Sequence, residues 1–91
     1  MSTMTEFLKI DEEHLVSGLQ EAVCSLDGAA GEVVLDFSTV RRIDAAGLRA
    51  LADLIRAADE KAFKVTLCGV NVDVYKVLKL LRLTQGLSFL N

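Results

Sequence analysis

Val33-Val34-Leu35-Asp36-Phe37-Ser38-Thr39-Val40-Arg41-Arg42-Ile43-Asp44-Ala45-Ala46-Gly47-Leu48 is the stretch on which the reading of the fold turns. An apolar run with no polar alternation ends at Asp36, which is the pattern of a strand covered on both faces. A short polar loop follows. Asp44 then stands directly before a helical pattern, and a carboxylate there can accept from the first free amides, those of Ala46 or Gly47. Ala45, Ala46 and Gly47 leave the mouth of that helix sterically open. Gly47 in particular admits close approach, either by a neighbouring element or by the backbone of a partner.

Outward from this centre, strand and helix patterns alternate. Phe7 to Ile10 is a short strand candidate. Asp11 is placed to cap a first helix over 12–26, with Glu12 and Glu13 suiting its N-terminus and Leu15, Leu19, Ala22, Val23 and Leu26 at helical spacing. Residues 27–31, Asp-Gly-Ala-Ala-Gly, read as a turn, and without a following lysine they are no phosphate loop. Glu32 to Phe37 is the second strand. The second helix covers 45–60, with Leu48, Leu51, Ala52, Ile55, Ala58 and Ala62 as its expected buried stripe. Arg49, Asp53, Arg56 and Glu60 fall on its other side with alternating sign. Lys64 to Val70 is a third strand. Asn71 or Asp73 caps a third helix carrying Val74, Val77, Leu78 and Leu81, and Gly86 is expected to stop it. Leu87 to Leu90 then forms a terminal strand or a docked tail. Leu80 and Leu83 lie off the inner face of this helix. Either the tail covers them or they form an apolar patch flanked by Lys76, Lys79 and Arg82.

The order β-α-β-α-β-α with an end piece implies one α/β domain, 1–91, built on a mostly parallel sheet with right-handed crossovers. At 91 residues, such a domain buries only about 60–65% of its unfolded surface, and an apolar content of 52% is enough to close a core without staples.

The net charge of −3 argues against a general nucleic-acid binder. It is unevenly spread: residues 1–36 hold eight acids and one base, residues 37–91 five acids and nine bases. Asymmetry of that kind suits either a polar interaction surface or ordinary solvated faces. No apolar run has the length of a membrane span, and Met1 to Glu6 lacks the basic and apolar regions of a secretory signal, so a cytoplasmic protein is expected. Cys24 and Cys68 lie within apolar patterns, are widely separated, and read as reduced core thiols rather than metal ligands or a disulfide.

No catalytic constellation emerges. His14 has no partner of known proximity. Ser17, Ser25, Ser38 and Ser88 lie in no nucleophile-elbow frame. Asp36 and Asp44 are a weak carboxylate pair, and no ligand spacing for a metal is present. A small hydrolase or nucleotide-binding enzyme is therefore the least supported reading, and no cofactor is implied.

The strand ending in Asp36-Phe37-Ser38 and the helix start Asp44-Ala45-Ala46-Gly47-Leu48 resemble the STAS domain, the module of bacterial anti-sigma-factor antagonists and sulfate-transporter tails. Val65 to Asn71 and Val74 to Leu80 extend the resemblance, which also takes in the STAS subunit of the bacterial lipid-asymmetry ABC transporter. It implies a small mixed, mostly parallel sheet of about four strands with helices packed on it. The family opens with two strands, and this chain has room for about one, so the sheet is one strand short or residues 1–6 form an irregular edge. In the family the helix starts Asp-Ser-Ser-Gly-Leu and its first Ser is a phosphorylation switch; here that position is Ala45, which cannot take a phosphoryl group.

The resemblance implies a non-enzymatic protein-binding module regulating transcription through an anti-sigma-factor kinase of the GHKL type. Its alternative is an accessory subunit binding the ATPase of an ABC lipid transporter. The docking residues it implies are Arg41, Arg42, Asp44, Ala45, Ala46, Gly47, Arg49 and Asn71, locked in the unmodified form. A homodimer is compatible with the same reading.

Overall fold

The apolar run that ends at Asp36 forms the middle of the molecule. In a computed structural model that describes residues 4–26 and 31–90, β2 (Gly31–Asp36) lies between β1 (Met4–Lys9) and β3 (Lys64–Cys68), and β4 (Ser88–Leu90) closes the far edge. Every neighbouring pair is parallel. The helices α1 (Leu15–Ser25), α2 (Ala45–Glu60) and α3 (Val72–Leu80) are the three crossovers. The end piece is thus a paired strand rather than a tail. Of the irregular edge expected at 1–6, residues 4–6 are instead regular β1 paired with 31–33, and of the turn expected at 27–31, Gly31 already opens β2; residues 1–3 and 27–30 lie outside the described residues.

Parallel strands laid down in chain order put right-handed crossovers all on one side of the sheet, and the burial agrees. Val33, Leu35, Phe37, Val65 and Leu67 point into one cluster with Leu15, Leu19 and Ala22 of α1, Leu51, Leu54 and Ala58 of α2, and Val74 and Leu78 of α3. The second face carries Phe7, Val34, Thr66 and Ser88 in one row across the four strands. Among the described residues no helix is left to cover it, and Phe7 is 65% exposed. The expectation that β2 is covered on both faces holds for its burial, but the helices lie on one face only. Val34 is buried, but it stands outside the helix-side core. Thr66, also buried, donates its hydroxyl to Glu32 Oε2 at 2.8 Å, so the hydroxyl is not left unpaired.

Other details shift for local reasons. The first helix begins as a 3-10 turn, Glu12–His14, before α1. Asp11 caps it with no side-chain bond; its carbonyl accepts from the His14 amide instead. The bounds of α2 are those read from the sequence, but its buried line is Gly47, Ala50, Leu51, Leu54 and Ala58. Leu48, Ala52 and Ile55 are half-buried and Ala62 is exposed. The line is rotated because α2 packs against α1 as well as the sheet: a Cβ on Gly47 would lie 2.5 Å from Leu15 Cδ2.

Asn71, not Asp73, caps α3, accepting from the Asp73 amide at 2.8 Å. That helix stops at Leu80 rather than at Gly86. Arg82 takes the left-handed conformation (φ 61°), and a second 3-10 turn, Leu83–Gly86, leads to β4. Gly86 has a packing role, since a Cβ there would meet Ile55 Cγ2 at 2.5 Å. Cys68 is half-buried as a thiol whose pKa burial pushes up, whereas Cys24 is exposed and not the core residue its pattern suggests.

Candidate functional site

In a parallel sheet the loops leaving the carboxyl ends of the strands converge at one edge, and sites form there. Three such loops meet here: residues 10–14 after β1, 37–44 after β2 and 69–71 after β3. Their joints are specific. The Asp36 carboxylate accepts from the Ser38 amide at 2.9 Å. With the Ser38 hydroxyl also bonded to it, the group is held below its ordinary pKa. Thr39 Oγ1 donates to the Ile10 carbonyl at 3.1 Å. Glu12 Oε1 accepts from the amides of Arg41 and Arg42 at 2.7 and 2.9 Å. Those two amide bonds, from Arg42 first and then Arg41, lower the Glu12 pKa. Gly69, at φ 68°, lets the third loop pass so close to the second that a Cβ would sit 3.0 Å from Ser38 Cβ.

This frame delivers the chain to α2. Asp44 is extended (φ −91°, ψ 179°), and its side chain accepts from the Gly47 amide, with Oδ1 at 2.8 Å. The cap was legible from Asp44-Ala45-Ala46-Gly47 alone, and of the two amides considered Gly47 is the one used. Ala45 and Ala46 are exposed on the first turn, whereas Gly47 is buried. The openness of Gly47 is therefore used by Leu15 and Ile43 of this same chain. Arg41, Arg42, Arg49 and Asn71 are exposed.

Two grooves adjoin this helix tip. One, about 520 Å³, has Glu12, Glu13, Val16, Gln20, Arg42 and Asp44 among its lining. The other, about 400 Å³, runs between α1 and α2 and includes Val16, Gln20, Ala46, Arg49 and Asp53. Sharing Val16 and Gln20, they make one channel-like surface that passes the helix tip. Arg42, Asp44, Ala46 and Arg49 are brought together along it. Asn71 belongs to the separate loop after β3, and Arg41 lines neither groove. Sequence reasoning missed Glu12, Val16 and Gln20. The acids at 11–13 signalled only a helix start, and the reach of Glu12 across some thirty residues of chain has no sequence-local mark.

Chemically, the tip offers methyl groups, arginine side chains and a capped amide end, with no hydroxyl nucleophile at Ala45. Among the described residues, no group of three or more His, Cys, Asp or Glu side chains is placed to hold a metal. No described helix is long and apolar enough to cross a membrane.

The family model for the STAS domain matches residues 4–89. Among solved structures, a candidate anti-sigma factor antagonist from Thermotoga maritima superimposes with a TM-score of 0.67 at 19% identity, covering 96% of this chain and 73% of that one. That likeness is one of fold. No curated protein sequence matches the chain.

Proposed function

The chain belongs to the STAS domain family, and we propose that it is a cytoplasmic, non-enzymatic binding module whose partner docks on the first turn of α2 and the adjoining groove. The observation that carries this reading is the exposure of Ala45 and Ala46 beside that groove. Small side chains on a rigid, capped helix tip let a partner backbone come close. Arg42 and Arg49 at the rim supply planar cations suited to carboxylates. Without a hydroxyl at Ala45 the surface stays in its unmodified form.

The partner class proposed is an anti-sigma-factor kinase of the GHKL type, whose capture releases a sigma factor to transcription. Ala45 favours a second reading, because reversible exchange of such partners uses the missing hydroxyl: an accessory subunit bound to the ATPase of an ABC lipid transporter. Both place the partner on the same tip.

The test is capture of purified candidate partners of each class, taken from neighbouring genes, by the wild type and by Ala46→Glu and Arg49→Glu. Both sites are exposed, so the fold is retained. Each variant is expected to weaken capture at least tenfold. Unchanged capture by both variants, with unchanged thermal unfolding, overturns the docking site.

A further inference from the structure

A helix packed on a sheet ordinarily turns mainly polar residues to water, whereas the exposed side of α3 mixes Asp73, Lys76 and Lys79 with large apolar side chains. Its inner line is Val74 and Leu78, both buried. At about 100° per residue the line opposite is Val72, Lys76 and Leu80. Val72 is 65% and Leu80 82% exposed. Tyr75 and Leu81 are also exposed, so this one short segment carries four of the six large apolar side chains left exposed among the described residues. The C-terminal strand reaches only Tyr75, whose ring meets that of Phe89 edge-on with centroids 5.1 Å apart. It pairs with β3, and it is Leu83, Leu87 and Phe89 that pack against the core. Interleaved with these apolar groups are Lys76, Lys79 and Arg82, against the single acid Asp73, in a chain whose net charge is −3.

We propose that the outer face of α3 is a docking surface for an anionic lipid bilayer. The face is the convex crest of a helix rather than a groove. A fluid surface moulds to such a crest, whereas a folded partner needs a complementary hollow. The long stems of Lys76, Lys79 and Arg82 let their charges reach lipid phosphates while Leu80 and Val72 dip below them. Three cations and a nine-residue helix give weak, reversible and salt-sensitive association. The inference is independent of the α2 tip and of which protein docks there.

The experiment is cosedimentation of the whole chain with vesicles of phosphatidylcholine alone or with added phosphatidylglycerol, at low and high salt. Partition is expected onto the anionic vesicles only, and to disappear at high salt. Replacing Lys76→Gln, Lys79→Gln and Arg82→Gln together lowers partition about a hundredfold, roughly fivefold per cation. Leu80→Ser lowers it about tenfold. Lys61→Gln, an exposed cation outside α3, leaves it within about twofold. All these side chains are exposed, so thermal unfolding should not move. Absence of partition onto anionic vesicles at low salt overturns the proposal. So does partition that Leu80→Ser leaves intact, which is plain charge attraction. Concentration-dependent self-association that the triple variant abolishes, without vesicle binding, assigns the face to a second copy and also overturns it.

Discussion

Asp44 makes the sharpest test of how α2 is anchored. Its Oδ1 lies 2.8 Å from the Gly47 amide, and Gly47 is buried against Leu15 and Ile43. Truncation to Ala removes the acceptor and leaves an amide with poor access to water. A cap of this kind is worth about 0.5–2 kcal/mol, and the burial of its donor puts Asp44→Ala in the upper half, about 1–2 kcal/mol. With an unfolding entropy of about 2.1 cal/mol/K per residue, 91 residues give about 190 cal/mol/K. The expected fall in Tm is therefore about 5–10 °C by far-UV circular dichroism. Asp44→Asn keeps an oxygen at the same reach and should stay near the wild type, since Asn and Asp cap almost equally. The Leu48 amide bond to the Asp44 carbonyl, 2.9 Å, persists in both variants and does not confuse the comparison. An Ala variant as stable as the wild type, or an Asn variant as unstable as Ala, refutes the cap as the source of the effect. If Asn preserves Tm but loses partner capture, the charge of Asp44 belongs to the docking surface as well.

Gly69→Ala should cost about 1–2 kcal/mol from the left-handed conformation alone. The contact with Ser38 Cα at 3.1 Å is with backbone and cannot simply rotate away, so a Tm fall of at least 5 °C is expected by about the same entropy; a neutral variant refutes the close passage of the two loops. Glu12 has its pKa lowered by the Arg42 and Arg41 amides. Its stabilisation is therefore fully present above the ordinary value of 4.5 and is lost as pH falls through the lower folded value. Between about pH 6 and pH 3, Tm should drop less for Glu12→Gln than for the wild type; parallel curves refute the linkage. Incubation with a STAS-directed kinase and ATP should leave the intact mass of the wild type unchanged, whereas Ala45→Ser should gain one phosphoryl group. Phosphate found on Ser38 or Thr39 of the wild type, both exposed, refutes the loss of the switch.

Signals that act within one turn of chain were legible in the sequence; signals that act across the fold were not. Asp44 and the small residues after it located the start of α2 to the residue, and the apolar runs located β2 and β3. A helical stripe phased on Leu48 passes over Leu54, and only α1, arriving along one flank, rotates the buried line onto Gly47, Ala50 and Leu54. The helix-free second face has the same origin. Val34 is apolar in a run that looks two-sided, but the direction in which the crossovers accumulate decides where the helices go, and no residue of β2 records that.

Gly47 carries this difference over to function. Its lack of a side chain fits a visitor and a neighbour equally well until Leu15 is placed beside it. Any bulky replacement then strikes the core before it reaches a partner, and lost capture would report only lost packing. Ala46, one residue earlier and exposed on the same turn, lines the groove between α1 and α2. A charge placed there meets whatever docks without disturbing Leu15, so position 46 rather than 47 separates a docking surface from a structural joint.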